Sequence, residues 1–336
     1  MSSACATLSM MTRNLYTFGN FAFWKERGCS LHLEEEKMKI QNVSVIGTGI
    51  LGTQIAIQAA CHNYKVTVFD LDATSFARVL ERLKIRMQNS SRKPTIPWPH
   101  MKRGAKMVKQ GASLKEAVAG ADLVIEAVPE DLALKRKVFK QMDILTPRKA
   151  ILATNSSSLP VSRLEKATSR PEKCLNIHFY ALDQGRNIVD VMGGTRTLPS
   201  IIKTGKEWVQ SIGCIPLTVK KEILGFCFNR IWRAIKREAL YMWAGGYVDF
   251  RDIDRGWMNW TGMSQGPFGL MDGVGLDVVY DIEMVYYRES GDPKDRPPPV
   301  LKAMIDRGNL GVKTSKGFYT YPDPEFRRRG FLKASS

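Results

Sequence analysis

Gly47-Thr-Gly49-Ile50-Leu51-Gly52 is the segment whose residue types and spacing imply chemistry most directly. Gly47 permits a tight turn, Gly49 lets backbone approach a pyrophosphate, and Gly52 lets the following helix pack close to the preceding strand. Ile50 and Leu51 belong to the same loop, where a helix start offers unsatisfied N–H groups and a positive dipole end to phosphate. Asp70 lies 23 residues beyond Gly47, at the end of the next strand, where an acid accepts hydrogen bonds from a ribose diol. A carboxylate there repels a 2′-phosphate, so NAD is favoured over NADP. A lone glycine pattern also fits an ordinary turn. The strand, helix, second strand and acid that accompany it here make the dinucleotide reading the stronger one.

Three further segments bring polar residues to strand ends: Thr154-Asn155-Ser156-Ser157-Ser158-Leu159, His178-Phe179-Tyr180, and Gly225-Phe-Cys-Phe-Asn229-Arg230. Each has a plainer reading. A single histidine after a strand is more often structural than reactive, and Ser157 suits a helix N-cap for Leu159 onward. Asn229 suits a cap for a helix over 230–244, and Asp190 fits a solvated strand residue. Arg78, Arg82, Lys84, Arg86, Arg92 and Lys93 form a basic helix and tail after Asp70. They make either a solvated face or an anion site.

The elements that must position these residues alternate. Short apolar runs at 42–46, 65–69, 122–128, 149–154, 174–179, 187–192 and 215–219 read as strands. Helical patterns fall at 53–62, 131–144 and 198–212, and Ser113 to Glu116 fits a capping box. This alternation predicts an α/β fold, a Rossmann-type doubly wound sheet over residues 38–221. From 222 to 322 the pattern becomes helical, with Ile231, Ile235 and Ala239 on one face and Gly245-Gly246 closing the first helix. Its load of Trp and Met predicts core plus an interface. Residues 1–37 read as a poorly ordered extension with a short helix near Phe21 to Lys25. Residues 323–336, with Arg327-Arg328-Arg329, read as a disordered basic tail.

The net charge of +17 over 336 residues lies on the folded body, because four basic and four acidic residues cancel within the first 37. A basic body attracts nucleic acid, an anionic surface or an anionic small molecule. No helix-turn-helix, zinc finger or RNP pattern accompanies the charge, which argues against nucleic acid, and no apolar run is long enough for a membrane span. Cys5, Cys29, Cys61, Cys174, Cys214 and Cys227 are scattered without metal-ligand spacing, and read as reduced thiols of a cytoplasmic protein with no bound metal. Glu34-Glu35-Glu36-Lys37 requires purine-rich codons just before Met38, as a translated ribosome-binding site would, so translation is expected to begin at Met38. The acid-poor start also allows a transit peptide, hence a mitochondrial matrix location.

The strand-end segments, in order and spacing, resemble the 3-hydroxyacyl-CoA dehydrogenase family over about residues 38–320. In that family a strand ends in Asn-Thr-Ser-Ser-Leu and His-Phe-Phe-Asn-Pro follows. A Glu lies twelve residues past the His, and Gly-Phe-x-x-Asn-Arg opens a helical domain. Gly266-Pro267-Phe268, Asp272, Val274-Gly275-Leu276-Asp277 and Gly311-Val-Lys313-Thr-Ser-Lys-Gly317-Phe318-Tyr319 agree as well. The resemblance implies that His178 is the general base toward a 3-hydroxyacyl thioester, that Asp190 steadies it, and that Ser157 and Asn229 hold the substrate oxygen. It further implies that Glu130, Lys135 and Lys313 contact NAD, that Arg86 and Lys93 contact coenzyme A, and that the helical domain forms a homodimer. Two departures stand out. Asp190 replaces Glu and is shorter by one methylene, about 1.5 Å of reach. Ala181-Leu182 replaces Asn-Pro, as in a divergent branch of short-chain 3-hydroxybutyryl-CoA dehydrogenases. An enzyme of a free hydroxy acid, of L-gulonate or carnitine type, and a non-catalytic NAD-binding protein are the rival readings.

Overall fold

The computed structural model describes residues 39–88 and 93–333. The expected helix near Phe21, the rest of residues 1–37, and Arg92 lie outside the described residues. In chain order the first elements are β1 (Asn42–Ile46), α1 (Ile50–Cys61), β2 (Lys65–Phe69), α2 (Ser75–Gln88), α3 (Trp98–Met107), β3 (Lys109–Gln110), α4 (Leu114–Val118), β4 (Leu123–Glu126) and α5 (Leu132–Leu145). Then come β5 (Ile151–Thr154), α6 (Ser162–Glu165), β6 (Cys174–Phe179), β7 (Ile188–Gly193), α7 (Pro199–Ser211) and β8 (Ile215–Val219).

The strands form one sheet in the order β3-β2-β1-β4-β5-β6-β7-β8. All neighbours are parallel except β6 and β7, which run antiparallel. Helices cover the sheet, so β4, β5 and β6 are buried along their whole lengths and read as near-continuous apolar runs. The polar exceptions, Glu126, Thr154, Asn176 and His178, therefore have to find partners inside the protein. Strand order reverses between β1 and β4, which opens a crevice beyond their carboxyl ends.

The helical part comprises α8 (Phe228–Ala244), α9 (Phe250–Thr261), α10 (Pro267–Val274), α11 (Leu276–Ser290) and α12 (Pro299–Asp306). Phe268, Met271, Leu276, Val279 and Leu301 form its core with Phe318 and Tyr319. The face expected for α8 is only partly right. Ala239 is buried but Ile231 is exposed, and the buried side carries Arg233 and Lys236, which pair with Glu283 of α11. Ion pairs let cations occupy positions that periodicity assigns to apolar residues. The tail needs correction too. Phe326 and Phe331 are buried and pack edge-on against Tyr319 at 4.9 and 6.5 Å, so residues 323–333 are docked on the helical core. The arginine run masked two apolar anchors. Among the described residues no helix is long and apolar enough to cross a membrane, and no group of acid, Cys or His side chains gathers to hold a metal.

Candidate active site

At the carboxyl end of β1 the chain turns through Gly47, whose φ of +99° is a left-handed value that glycine adopts without strain. A Cβ there would lie 2.7 Å from the Ala127 backbone, and one at Gly52 would collide with the Gly47 carbonyl. Around Gly49, by contrast, the space is open. Helix α1 begins at Ile50, three residues before the position expected from the pattern, with Gly49 as an N-cap that offers no side chain. Thr53 is the first N–H to bond back, to the Gly49 carbonyl at 3.0 Å, so the N–H groups of Ile50, Leu51 and Gly52 are free to meet an anion. Asp70 accepts from Thr48 N–H at 2.6 Å and Thr48 Oγ1 at 3.0 Å, which fixes its carboxylate beside the loop. An open glycine, free helix N–H groups and a fixed acid fit a dinucleotide.

Beyond β4 lies a network that the sequence reading only half saw. Glu126 is fully buried, and Lys135 Nζ donates to its Oε1 at 2.7 Å and to the Val128 carbonyl at 3.1 Å. Thr154 Oγ1 supplies the other carboxylate oxygen at 2.7 Å. Burial raises the Glu126 carboxyl above its usual range despite the opposing pull of Lys135. Glu130 lies 3.2 Å from the same ammonium and accepts from Ser158 N–H and Ser158 Oγ at 2.9 and 2.7 Å, and from Ser156 Oγ. Burial works to raise Glu130, but Lys135 and the serine donors outweigh it and hold it below the carboxylate range. Lys135, 1% exposed, ties Glu126, Glu130 and the Val128 carbonyl together. A charged residue in an otherwise apolar strand was the available signal for Glu126.

Asn155 ties the β5 loop to β6 by accepting from Phe179 N–H at 2.8 Å. Ser156, not Ser157, caps the turn to Leu159, through a 2.8 Å bond. Ser157 itself is exposed with no side-chain bond to the described residues, which leaves its hydroxyl for a ligand. His178 and Asp190 face each other across the β6–β7 register, Nδ1 to Oδ2 at 3.1 Å, with Asp190 fully buried. The shorter acid therefore reaches the ring, and Asp190 is not a solvated strand residue. Among the described residues the ring Nε2 has no hydrogen-bond partner, in a side chain that is 3% exposed. Phe226 stacks on the imidazole at 5.1 Å and 26° between planes. Phe226 has a φ of +51°, a strained value for a side chain of that size, next to Gly225 at +80°. This turn delivers the first turn of α8, and Asn229 sits inside it, because α8 starts at Phe228 and Cys227 holds the cap position.

Other expected contacts stand elsewhere. Lys313 Nζ is held 2.5 Å from Asp277 in the helical part. Arg86 Nε donates at 2.8 Å to the fully buried Asp183, in the turn that replaces Asn-Pro. Gln54 of α1 accepts from Asp183 N–H at 3.1 Å and Thr95 N–H bonds the Leu182 carbonyl at 2.9 Å, so that turn is fixed to α1, α2 and the loop before α3. Lys93 is exposed nearby, its carbonyl packed where Gly185 has no side chain.

Comparison with known proteins adds independent findings. Residues 42–223 match the family model described as 3-hydroxyacyl-CoA dehydrogenase, NAD binding domain, and residues 225–321 match 3-hydroxyacyl-CoA dehydrogenase, C-terminal domain. The chain is 30% identical over 286 residues to a probable 3-hydroxybutyryl-CoA dehydrogenase of Bacillus subtilis, covering 85% of this chain and 99% of that one. It is 28% identical to a 5-formyl-3-hydroxy-2-methylpyridine 4-carboxylate 5-dehydrogenase of Mesorhizobium japonicum, covering 84% and 91%. A solved diketoreductase structure superposes with a TM-score of 0.73 at 34% identity, covering 84% of this chain and 99% of that one.

Proposed function

Because the chain belongs to the 3-hydroxyacyl-CoA dehydrogenase family and takes NAD as its cofactor, we propose that it oxidises a short-chain (S)-3-hydroxyacyl-CoA reversibly to the 3-keto thioester. The observation that supports this best is the imidazole of His178, anchored through Nδ1 to a buried carboxylate with Nε2 left open. Nε2 of a neutral ring accepts the substrate hydroxyl proton, and the Asp190 carboxylate stabilises the imidazolium that results. The bound dinucleotide supplies a hydride acceptor for the substrate C3. Ser157 Oγ and the Asn229 amide donate to the substrate oxygen, which polarises the carbonyl when the reaction runs in reverse. Phe226 covers one ring face and excludes water there. Glu130 and the 126–128 backbone, fixed by Lys135, line the nicotinamide end, and the Gly47–Gly52 loop with Asp70 carries the pyrophosphate and ribose.

Lys93 and the exposed basic side chains of α2 offer charge for the nucleotide of coenzyme A. A second reading, a CoA-free hydroxy or keto substrate, draws on one observation: Arg86 already neutralises Asp183. Monitoring NADH with acetoacetyl-CoA, longer 3-ketoacyl-CoAs and L-gulonate separates the two. Turnover confined to the thioesters supports the first reading, and turnover confined to the free acid replaces it. We further propose a homodimer through the helical part, where Trp260 and Ile231 are 91% and 58% exposed. A monomeric mass by light scattering would refute that.

A further inference from the structure

We propose that the Tyr180 hydroxyl is a positioning group for the His178–Asp190 pair, fixing the carboxylate that in turn fixes the ring. This rests on the catalytic reading of His178 given above. Tyr180 donates to Asp190 Oδ2 at 2.6 Å, the same oxygen that faces His178 Nδ1 at 3.1 Å. An O–H···O contact of that length falls in the range of charge-assisted bonds, so the phenol is the nearer and stronger donor to the acid. Asp190 Oδ1 is buried with no partner, so the whole anchoring of this carboxylate passes through Oδ2.

Asn229, in the first turn of α8, sets its backbone N–H against the phenol and opposes part of its upward shift. Phe228 meets the Tyr180 ring edge-on at 5.8 Å, and Tyr180 meets the imidazole edge-on at 4.6 Å. Burial, then the bond to Asp190, pushes the phenol well above its ordinary range, so it remains a donor at any working pH. A line of hydrogen bonds thus runs from Tyr180 through Asp190 to the ring, with Phe228 of α8 packed against its outer end. The titratable groups around it are His178 in β6, two residues before Tyr180, Asp190 on β7 and Cys227 at the start of α8.

Two consequences follow. First, an Asp is long enough here because Tyr180 holds it toward the ring, and a Glu would push its extra methylene into the space the phenol oxygen occupies. Second, a carboxylate oxygen shared with a second donor pulls less strongly on an imidazolium than it would with phenylalanine at 180.

The test compares Tyr180→Phe, Asp190→Glu and the double variant as NAD-loaded enzymes, with acetoacetyl-CoA and 3-hydroxybutyryl-CoA across pH. Tyr180→Phe should lower kcat about tenfold with KM little changed, and move the acid limb of the oxidation profile up by about half a unit or more. Asp190→Glu alone should lose at least about tenfold through overpacking, and the double variant should return to within about threefold of the parent. An unchanged kcat and acid limb in Tyr180→Phe overturns the proposal, as does an Asp190→Glu loss of equal size in the Tyr and Phe backgrounds. NMR titration of the His178 ring, in a chain with only four histidines, reads the same upward displacement without substrate. It therefore tests Tyr180 even if none of the offered substrates is turned over, while a displacement with no turnover would fault only the catalytic reading.

Discussion

At the residue scale, position and charge at the imidazole can be separated. His178→Ala removes the proton acceptor but touches neither the glycine loop nor the Glu130 network, so turnover should fall about 10²–10⁴-fold with NADH binding retained in a fluorescence titration. Loss of binding together with turnover would mean that the ring is structural. Asp190→Asn is more informative, because Oδ1 has no partner in the parent. The amide nitrogen can take that place and leave the oxygen facing both His178 and Tyr180, so the ring keeps its orientation and loses only the negative charge. The expected result is a loss of about 10²-fold in oxidation rate and an acid limb displaced to lower pH, since nothing then stabilises the imidazolium. An unchanged rate would show that the acid holds the ring and does not assist the proton transfer.

At the scale of elements, the Glu126–Lys135–Glu130 network joins the ends of β4 and β5 to α5, and its failure should register as stability before catalysis. Lys135→Met leaves the fully buried Glu126 with only a hydroxyl and an N–H as partners, a loss of about 3–5 kcal/mol in denaturant unfolding at neutral pH. Because burial already raises the Glu126 carboxyl, the loss should shrink as pH falls and the acid takes up a proton, and Glu126→Gln in the same chain should recover much of it. A cost that ignores pH and the second substitution would mean that Lys135 only fills space. This network also marks how far sequence reading goes. The glycine loop, its helix and Asp70 were legible because local geometry dictates each residue. Asp190 was reached only through the family resemblance, which implies an acid twelve residues past the histidine. Tyr180 and Glu126 were not legible, since the one passes for an aromatic strand residue and the other, a charge closing an apolar strand, for a solvated strand end; the fold alone turns the phenol onto Asp190 and the Lys135 ammonium onto Glu126. The turn at 181–185 was likewise opaque: Asp183 gains its meaning from Gln54 and Arg86, 129 and 97 residues away.

At the scale of the whole molecule, the helical part is closed by two buried acids. Asp254 of α9 accepts from the N–H groups of Phe268 and Gly269 at 2.8 and 2.9 Å and from Tyr319 Oη at 3.0 Å, capping the start of α10. Asp272 accepts from Phe318 and Tyr319 N–H, both at 2.9 Å, and from Tyr321 Oη at 3.1 Å. Three stretches of chain far apart in sequence are thus joined through two carboxylates. Burial, reinforced by the nearby Asp272 charge, pushes Asp254 up to about 6 against its hydrogen bonds. The folded chain therefore binds this proton more tightly than the unfolded chain does. The associated stability is fully present below about pH 4, the ordinary value in an unfolded chain, and is lost as pH rises through 6; the whole swing is worth about 3 kcal/mol. Asp254→Asn lacks the swing but carries a fixed cost, because its amide nitrogen confronts one of the N–H donors. Its penalty relative to the parent should shrink by about 2 kcal/mol between pH 4.5 and 7.5 in urea unfolding, with the titration of the remaining basic chain cancelling in the difference. A penalty that stays flat or grows over that interval would mean that the carboxylate is ionised throughout and that the three donors, not burial, decide the charge state of the clamp.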